Sequence, residues 1–350
     1  MRVAFVPIWK ANPYHDELTK SLRSLGIDVV DIHDVKALQL AAGTGRVDVV
    51  HVHSLPYFRW SPLEIARYTM FYVRLRRLRE SGVRVVWTVH NFQNHDSTSL
   101  PIENRASRYL ARHVDALIVH GPSARELVLS HWKCPPRSVA VIPHGHYIES
   151  YRNSIQRSAA RAALNLESSN TVFLFLGLIR PYKGVLDLVG AFRGCDDPNA
   201  RLVIAGRPFN DAIAAEVVNS LAGDPRIRFI PGFVNDDDVQ VYMNASDVVV
   251  LPYRRVLTSG AAILAMSFAK ACVAPRAGCV TDALDEKGNI LFDAGIEGDL
   301  KRALDEALSR SNELVEMGLH NFHRASAWDW AGVARATANV YSRCVEGQGP

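Results

Sequence analysis

The sequence predicts an α/β fold with two parallel sheets, and two observations support this prediction. Short runs rich in β-branched and aromatic residues alternate with helical stretches from the first residues onward. The alternation loosens after Gly145 and restarts at Val172, so the chain holds two successive βα series. A chain of 350 residues is long enough to bury two hydrophobic cores. We therefore expect two Rossmann-like domains that face each other across a cleft.

The predicted elements follow in order along the two series. The first series holds strands over residues 3–8, 28–32, 47–53, 84–90 and 115–120, and the second over 173–178, 200–205, 227–231, 247–251, 271–275 and 288–292. Residues 14–25 form an amphipathic helix that ends at Gly26. We place the domains at residues 1–147 and 148–326, and expect a final helix in residues 327–350 to pack back across them.

Composition narrows the class of protein. The chain is 48% hydrophobic and 22% charged, which is ordinary globular usage. Its five cysteines are scattered without a Cys-x-x-Cys pair, which indicates neither a zinc site nor a disulfide framework and fits a reducing cytosol. The first residues enter a strand pattern directly, so we expect no signal peptide, and no apolar run reaches the roughly 18–20 residues of a membrane span. A net charge of +4 without a recognised binding module argues against nucleic acid as a partner.

The most informative segment joins a short apolar strand, a turn of small residues and an alanine-rich helix. The strand ends at Pro252, and Thr258, Ser259 and Gly260 lead into the helix. The amides of a first helical turn have no helical partner and the helix dipole favours negative charge there, so such a turn binds anions such as diphosphate. A plain N-capped helix gives the same sequence pattern and is the alternative.

A second segment strengthens the prediction of a diphosphate site. The apolar run at residues 173–178 reads as a buried strand, and Arg180 and Lys183 follow it three residues apart. Open parallel sheets bind ligands at the carboxyl ends of their strands. A planar guanidinium and a mobile ammonium suit a diphosphate well. We therefore predict phosphate binding by this loop rather than a solvated basic turn.

Several motifs resemble the two-domain GT-B glycosyltransferases that use nucleotide sugars. FLGLIRPYKG is similar to the diphosphate loop of family-4-type enzymes, and VIPHG to their domain junction. Other motifs resemble the β-mannosyltransferases of bacterial exopolysaccharide assembly, which use GDP-mannose: Asn12-Pro13-Tyr14, His51-x-His53, His90-Asn91 with His95-Asp96, His144-Gly145-His146-Tyr147, and LPY…SG…LAMSFAKACVAP. The resemblance implies an acceptor-binding domain at residues 1–147, a nucleotide-sugar domain at 148–326, and a hexosyltransferase with a lipid-linked or polysaccharide acceptor.

The chain departs from the family at two positions. Retaining family-4 enzymes carry two glutamates at the positions of Val256 and Leu264, so their absence favours an inverting transfer. Inversion requires a general base in the amino-terminal domain. Asp96 is the first candidate and His95 the second, although both could instead cap the following helix. His90 is expected to orient its neighbours or to contact the donor sugar.

The resemblance also implies donor contacts in the loops after residues 200–205 and 227–231. Arg207 is either a third phosphate cation or a surface arginine, and Phe233 lies near the base or in the core, with Val234 beside it. Arg180, Lys183 and the amides of residues 258–260 would stabilise the leaving nucleoside diphosphate, so we expect no cofactor and no essential metal.

His51 and His53 alternate along a predicted strand and so point to one face of the sheet. The pair resembles a metal-ligand pattern, but neither a carboxylate nor a cysteine lies at the spacing that a metal site requires. We therefore expect these two histidines to pack rather than to bind a metal.

The acceptor side is predicted from a basic segment at residues 67–84. Its arginines accompany several aromatic residues and suit anionic lipid headgroups, with each arginine contributing about 1 kcal/mol. A solvated helix face is the alternative. We expect the protein to be cytoplasmic and peripheral on the inner face of the membrane. The acceptor or membrane surface is assigned to Asn12, Tyr14, Arg74, Arg76, Arg77 and Arg79.

Three other functions remain open. One is a retaining transferase that uses UDP-glucose, UDP-glucuronate or another donor. The second is a sugar-nucleotide epimerase, which needs carboxylates around the sugar and is weakened by Val256 and Leu264. The third is a catalytically silent GT-B paralogue that acts as a binding or scaffold subunit, which would explain the missing glutamates directly.

Overall fold

The structure of the protein is a computed structural model that describes residues 1–6, 13–32, 47–55, 61–91, 100–135 and 138–347. These residues form two compact units. Unit 1 comprises Met1–Gly145 with Trp328–Pro350, and unit 2 comprises His146–Ala327. Among the described residues, no helix has the length and apolar character that a membrane crossing requires.

Unit 1 is built on a six-stranded parallel sheet whose order is β2-β1-β3-β4-β5-β6. Its strands are short apolar runs because helices cover both faces of a parallel sheet. The five strands expected from the sequence are present, and a sixth strand of three residues follows them. The strands are β1 (Arg2–Val6), β2 (Asp28–Asp31), β3 (Val49–Val52), β4 (Arg84–Thr88), β5 (Ala116–Val119) and β6 (Val139–Val141).

Five helices in the described part of the chain belong to unit 1. They are α1 (Pro13–Ser24), α2 (Pro62–Glu80), α3 (Leu100–His113), α4 (Pro122–Trp132) and the carboxyl-terminal helix, here called α13 (Trp330–Val345). The carboxylate of Asp329 caps α13 by accepting a hydrogen bond of 2.6 Å from the Gly332 amide. Helix α13 packs on α1 and β4. The predicted final helix is therefore part of the amino-terminal unit.

Unit 2 contains a second six-stranded parallel sheet, with the order β12-β11-β10-β7-β8-β9. The strands are β7 (Thr171–Leu176), β8 (Ala200–Gly206), β9 (Ile227–Pro231), β10 (Val248–Val250), β11 (Ala271–Pro275) and β12 (Asn289–Phe292). Chain order reverses between β7 and β10, and ligands bind at such switch points in open parallel sheets. The prediction of two parallel sheets is confirmed.

The helices of unit 2 cover both faces of its sheet. They are α5 (Arg157–Ala163), α6 (Val185–Arg193), α7 (Asp211–Leu221), α8 (Asp236–Ala245), α9 (Gly260–Ser267), α10 (Val280–Ala283), α11 (Asp299–Ser309) and α12 (Leu314–Ser326). Helix α5 is tied to the sheet by the buried Arg161, whose Nη2 lies 2.7 Å from Oδ2 of Asp247. The same carboxylate accepts a hydrogen bond of 2.8 Å from the Val172 amide, so one ion pair fixes both the helix and the start of β7.

Candidate functional site

Two loops of unit 2 meet at the switch point of its sheet, one after β7 and one after β10. The Tyr182 carbonyl accepts a hydrogen bond of 2.9 Å from the Arg254 amide. The Arg254 guanidinium donates two hydrogen bonds of 2.6 Å to Asp187. A Cβ atom on Gly184 would lie 1.9 Å from the Pro252 carbonyl oxygen, so only glycine permits this approach. The two loops therefore form one fixed surface.

Two cations on the β7 loop are held beside aromatic rings. The Arg180 Cζ lies 5.1 Å from the ring centroid of Phe209, and the Lys183 Nζ lies 5.5 Å from that of Tyr253. Such contacts orient a cation without neutralising it. Burial, assisted by the charge of Arg180, lowers the pKa of Lys183 to about 8. An anion placed between these side chains would offset both effects and favour the ammonium form.

Helix α9 begins next to these cations. The Ser259 side chain caps it, with Oγ accepting a hydrogen bond of 3.1 Å from the Ala262 amide, so the N-cap alternative is present in the structure. Tyr253, which contacts Lys183, is also close to Ser259. The amides of Gly260 and residue 261 come before the capped amide and have no partner within the helix. The cap and an anion site can therefore coexist at this turn, with the half-buried Thr258 at its entrance.

The loops after β8 and β9 continue the same edge of the sheet. Gly206 has a φ of 151°, and a Cβ atom there would lie 1.8 Å from the Gly177 carbonyl oxygen. The close approach of these two strand ends therefore requires glycine. Beyond them, Phe233 is 69% exposed, which excludes its alternative place in the core. Arg207 is exposed and Val234 is half-buried.

Phe209 was missed by the sequence analysis. It is 50% exposed and stacks with Arg180, which places it beside the candidate phosphate cations. The available signal was an aromatic residue three positions after the strand that ends at Gly206, within the same loop as Arg207. Two exposed phenylalanines thus accompany the cations along this edge.

Histidine side chains cluster at the carboxyl end of the sheet in unit 1. The ring centroids of His51 and His53 are 4.0 Å apart, and those of His90 and His120 are 5.1 Å apart. His144 continues the group, with its ring 5.3 Å from that of His120. The cluster is defined as His15, His51, His53, His90, His120 and His144. His53 and His120 directly follow strands, and His90 and His144 lie two and three residues beyond strand ends, which is why a parallel sheet gathers them at one edge.

Hydrogen bonds fix the tautomers of two members of this histidine cluster. His120 Nδ1 lies 3.0 Å from the Ile142 carbonyl oxygen, which can only accept, so Nδ1 carries the proton. The other nitrogen of neutral His120 then accepts from His90 Nδ1 at 3.3 Å. His90 is thereby left with its lone pair on Nε2, so the pair His120 and His90 forms a directed chain.

His51 has a structural role, because both of its ring nitrogens contact hydroxyl groups of neighbouring elements. Its ring nitrogens lie 2.6 Å from the Tyr341 hydroxyl and 2.6 Å from the Thr88 hydroxyl, which joins α13 to the sheet. Both nitrogens are used in this way, so His51 packs. Within the described ranges, no group of three or more histidine, cysteine or acidic side chains is arranged to hold a metal ion.

Burial keeps five imidazoles of the histidine cluster electrically neutral. It lowers the pKa of His51 and of His144 to about 3, and that of His120 to about 4. The pKa values of His53 and His90 are also well below the usual value, first because of burial and then because neighbouring imidazoles repel a positive charge. At neutral pH these groups are therefore uncharged.

The structure corrects one assignment and leaves others untested. Tyr14 is only 3% exposed, which is too buried for contact with a membrane surface, while its assignment to the acceptor side stays a prediction. Its position on the inward side of α1 packs the ring 5.0 Å from that of His90 and 5.3 Å from that of Trp330. Asn12, His95 and Asp96 lie outside the described residues.

The basic segment forms most of α2, and its arginines have different surroundings. Arg76 pairs with Glu80 at 2.8 Å, and Arg79 donates two hydrogen bonds, of 3.1 and 3.3 Å, to Asp115. Arg77 is exposed and Arg74 is half-buried. The predicted basic surface is therefore partly neutralised by acidic side chains.

Helix α2 also carries exposed apolar residues. Leu63 is 61% exposed, Met70 45% and Val73 37%. Spacings of seven and three residues put all three on one side of a helix, and we call this group the apolar stripe. Arg77 follows Val73 by four residues and extends the same side.

Two protein-family models match the chain, and each matches a region that lies mostly in one of the two units. The model described as Glycosyltransferase Family 4 matches residues 29–149, and that described as Glycosyl transferases group 1 matches residues 170–310. A protein of Xanthomonas campestris pv. campestris named GDP-mannose:glycolipid 4-beta-D-mannosyltransferase is 30% identical over 235 residues, which covers 66% of this chain and 62% of that protein. A D-inositol 3-phosphate glycosyltransferase of Mycobacterium sp. (strain KMS) is 27% identical over 281 residues, covering 76% of this chain and 60% of that protein. The chain thus spans less than two thirds of the length of these relatives.

Solved structures share the whole architecture. A sucrose-phosphate synthase from Thermosynechococcus elongatus matches with a TM-score of 0.81 and 17% identity, covering 99% of this chain and 100% of that one. Anabaena HepE in complex with UDP-glucose matches with a TM-score of 0.76 and 16% identity, covering 98% and 99%. These similarities establish the fold. The two family matches, which together span most of the chain, show that it belongs to the glycosyltransferases, with a family-4 region in its amino-terminal half and a group 1 region in its carboxyl-terminal half, and the solved structures show that it has the GT-B fold.

Proposed function

We propose that this protein is a hexosyltransferase that transfers a sugar from a nucleotide donor, with GDP-mannose as the leading donor and inversion as the leading outcome. The observation that carries the proposal is the fixed pair of loops at the switch point of unit 2. There the Lys183 ammonium lies over the Tyr253 ring, Ser259 at the start of α9 is close to the same tyrosine, and Arg180 is near enough to Lys183 to lower its pKa. A diphosphate is the ligand whose charge and size match this combination.

The proposed reaction breaks the bond between the sugar C1 and the diphosphate oxygen. An acceptor hydroxyl attacks C1, its proton passes to a base, and the bonding electrons leave with the nucleoside diphosphate. The negative charge that builds on the phosphate is stabilised by Arg180, Lys183 and the amides at the start of α9. These groups supply positive charge without a metal, which supports a reaction that has no essential divalent cation.

The donor is tested by thermal unfolding in the presence of GDP-, UDP- and dTDP-sugars and the free diphosphates. Binding to the folded state at 100 times Kd adds about 2.7 kcal/mol of stability and raises Tm. We expect GDP and GDP-mannose to give the largest rise, since the Xanthomonas relative is named for that donor. A larger rise in Tm with UDP-sugars would indicate a UDP-sugar as the donor and would leave the proposed reaction class unchanged.

A silent GT-B paralogue is the second candidate, and Val256 and Leu264 favour it because both stand where retaining relatives carry glutamates. The same panel, followed by a transfer assay with lipid-linked oligosaccharides, separates the two candidates. Nucleotide binding without transfer to any acceptor would support the paralogue. Transfer with inverted configuration would exclude it.

The base is proposed as Asp96, with His95 as the second choice. If Asp96 takes the proton from the attacking hydroxyl of the acceptor, Asp96→Asn should reduce kcat at least tenfold, because a positioned general base accelerates a reaction by about 10²- to 10⁴-fold. His95→Ala is measured in parallel, and the exposed Asp196→Asn serves as the matched control. Full transferase activity in both variants would contradict the assignment.

Membrane association is proposed through the apolar stripe on α2 and the exposed Arg77. A glycolipid is named as the acceptor of the Xanthomonas relative, which supports a lipid-linked acceptor here. The triple variant Leu63→Ser, Met70→Ser and Val73→Ser should lose co-sedimentation with phospholipid vesicles, because apolar burial in the interface drives such binding.

The control for that experiment removes apolar side chains elsewhere. Val315 and Leu319 are 63% and 48% exposed on α12, so replacing both by serine tests for a non-specific loss of hydrophobic surface. Unchanged vesicle binding by the stripe variant would rule out this surface as the membrane contact.

A further inference from the structure

A cavity of about 480 Å³ lies in unit 1 away from the histidine cluster. It opens between the carboxyl-terminal halves of α2 and α3, and its wall includes Arg84 and Val85, which begin β4. The histidine cluster lies at the opposite, carboxyl ends of the strands. This pocket is therefore separate from the edge of the sheet at which transfer is proposed.

Three arginines line the pocket, and a buried carboxylate fixes two of them. Arg79 donates to Asp115 from Nε and Nη2, and Arg84 Nη1 lies 3.5 Å from the same carboxylate. The Asp115 side chain is only 10% exposed and also accepts from the Val85 amide at 2.8 Å. A guanidinium has five N–H groups, so both arginines keep donors beyond those used by Asp115. The third arginine, Arg76, is paired with Glu80 at the rim.

The charge of this arrangement suits a monoanionic ligand. Arg76, Arg79 and Arg84 supply three positive charges, and Asp115 and Glu80 supply two negative ones. A phosphodiester neutralises the remaining positive charge and accepts hydrogen bonds from planar guanidinium groups.

The rest of the pocket is amphipathic. The rings of Tyr72 and Tyr109 lie 6.4 Å apart at 71°, and His113 stacks on Tyr109 at 4.0 Å. Tyr109 is 43% exposed, while Leu75 and Leu110 form a buried apolar floor. Tyrosines at this boundary are typical of proteins that contact the headgroup level of a bilayer.

The pocket and the apolar stripe share one helix. Arg76 follows Val73 by three residues, which puts the two side chains within about 60° of each other around α2. A bilayer that contacts the apolar stripe would therefore place lipid headgroups close to the pocket. This proximity favours a lipid headgroup over a free solute as the source of the phosphodiester.

We propose that this pocket binds the phosphodiester headgroup of an anionic phospholipid. The proposal rests on the membrane association given under the proposed function and adds a headgroup-selective site to it. The apolar stripe supplies binding to any phospholipid surface, and the pocket supplies the preference for anionic lipid.

The test compares vesicles of phosphatidylcholine alone with vesicles that also contain phosphatidylglycerol. The full-length Arg76→Gln, Arg84→Gln double variant keeps the Arg79–Asp115 pair and should lose roughly tenfold or more in affinity for the anionic vesicles. Its binding to phosphatidylcholine vesicles should stay at the wild-type level. Arg343→Gln, an exposed arginine on α13, is the matched control.

A second measurement separates the pocket from general surface charge. Soluble dihexanoyl phosphatidylglycerol is titrated into wild-type protein by calorimetry, with inorganic phosphate as competitor. Saturable binding that the double variant lacks, and that inorganic phosphate does not displace, supports the proposal. Equal affinity of the double variant and Arg343→Gln for anionic vesicles would overturn it, and so would displacement by equimolar inorganic phosphate.

The donor panel run on the same variants keeps the two proposals apart. The double variant should retain the rise in Tm that GDP-mannose causes, because the pocket lies in unit 1 and the phosphate loops lie in unit 2. A normal nucleotide response with unchanged lipid selectivity would overturn the pocket alone. If no nucleotide raised the Tm of the wild-type protein, the result would instead count against the proposed transferase.

Discussion

The Lys183→Met variant is expected to lose on the order of 10²- to 10³-fold in kcat, the loss seen when one preorganised donor to a developing negative charge is removed. Lys183 is held on the turn after β7, and its ammonium lies over Tyr253, beside the start of α9. Methionine keeps most of the unbranched stem and removes only the charge. The activity loss should therefore come without a loss of folding stability.

The ionisation of Lys183 gives this prediction a pH signature. Its pKa in the folded, ligand-free protein is about 8, against an ordinary value of 10.5. Between these values the unfolded chain holds a proton that the folded chain has released, so this group makes folding stability rise with pH across the window. A bound diphosphate favours the ammonium, so donor affinity should fall as pH rises above about 8.

Proton uptake on donor binding is the direct measurement. Calorimetric titration of GDP-mannose near pH 8.5, in two buffers of different ionisation enthalpy, should show a fraction of a proton taken up by the wild type. Lys183→Met should show none, while the exposed Arg207→Gln should keep the uptake. Equal uptake in Lys183→Met and wild type would assign the proton to another group.

The positions of the two candidate phosphate loops could be predicted because their determinants are local. Strand, turn and helix are contiguous in residues 247–270, and a parallel sheet puts the carboxyl ends of its strands at one edge. The same rule gathers Arg180 and Lys183 there. What the sequence did not show is the fit of Gly184 against Pro252, which depends on two loops that are far apart in the chain.

The histidine cluster and the pairing of the arginines were not predictable in the same way. Five separate segments contribute the six imidazoles, and only the tertiary fold brings them together. Arg79 and Asp115 are 36 residues apart, so the partial neutralisation of the basic helix is a tertiary effect. The burial of Tyr14 was not predicted because the sequence does not show that this side of α1 packs against His90 and Trp330.

Mild acid is expected to destabilise the protein steeply, through the histidine cluster. Buried imidazoles with a pKa of about 3 for His51 and His144, and about 4 for His120, stay neutral in the folded state. The unfolded chain takes up these protons near the ordinary value of 6.5. The cluster therefore costs nothing in stability well above pH 6.5, and stability falls as the pH drops from there towards 4.

The size of this effect follows from the number of linked protons. An imidazole that is protonated in the unfolded chain and neutral in the folded protein changes the free energy of unfolding by about 1.4 kcal/mol per pH unit. Three such imidazoles together change it by about 4 kcal/mol per pH unit. Domains are commonly stable by only about 5–15 kcal/mol, so two pH units below 6.5 should be enough to approach unfolding. Urea unfolding between pH 7 and pH 4.5 measures this slope.

His53→Phe identifies the cluster as the cause. Both ring nitrogens of His53 are buried and have no hydrogen-bond partner among the residues that the structure describes, so a phenyl ring removes a titrating group without leaving one of these residues' polar atoms unpaired. The variant should gain stability relative to wild type at pH 5 and should bind about one proton fewer on unfolding. The exposed His323→Phe in unit 2 should leave the slope unchanged. Removing one of the neutral imidazoles must reduce the number of protons taken up on unfolding. If the unfolding free energy of His53→Phe depended on pH as steeply as that of the wild type, the acid sensitivity would therefore arise outside the neutral imidazoles of unit 1.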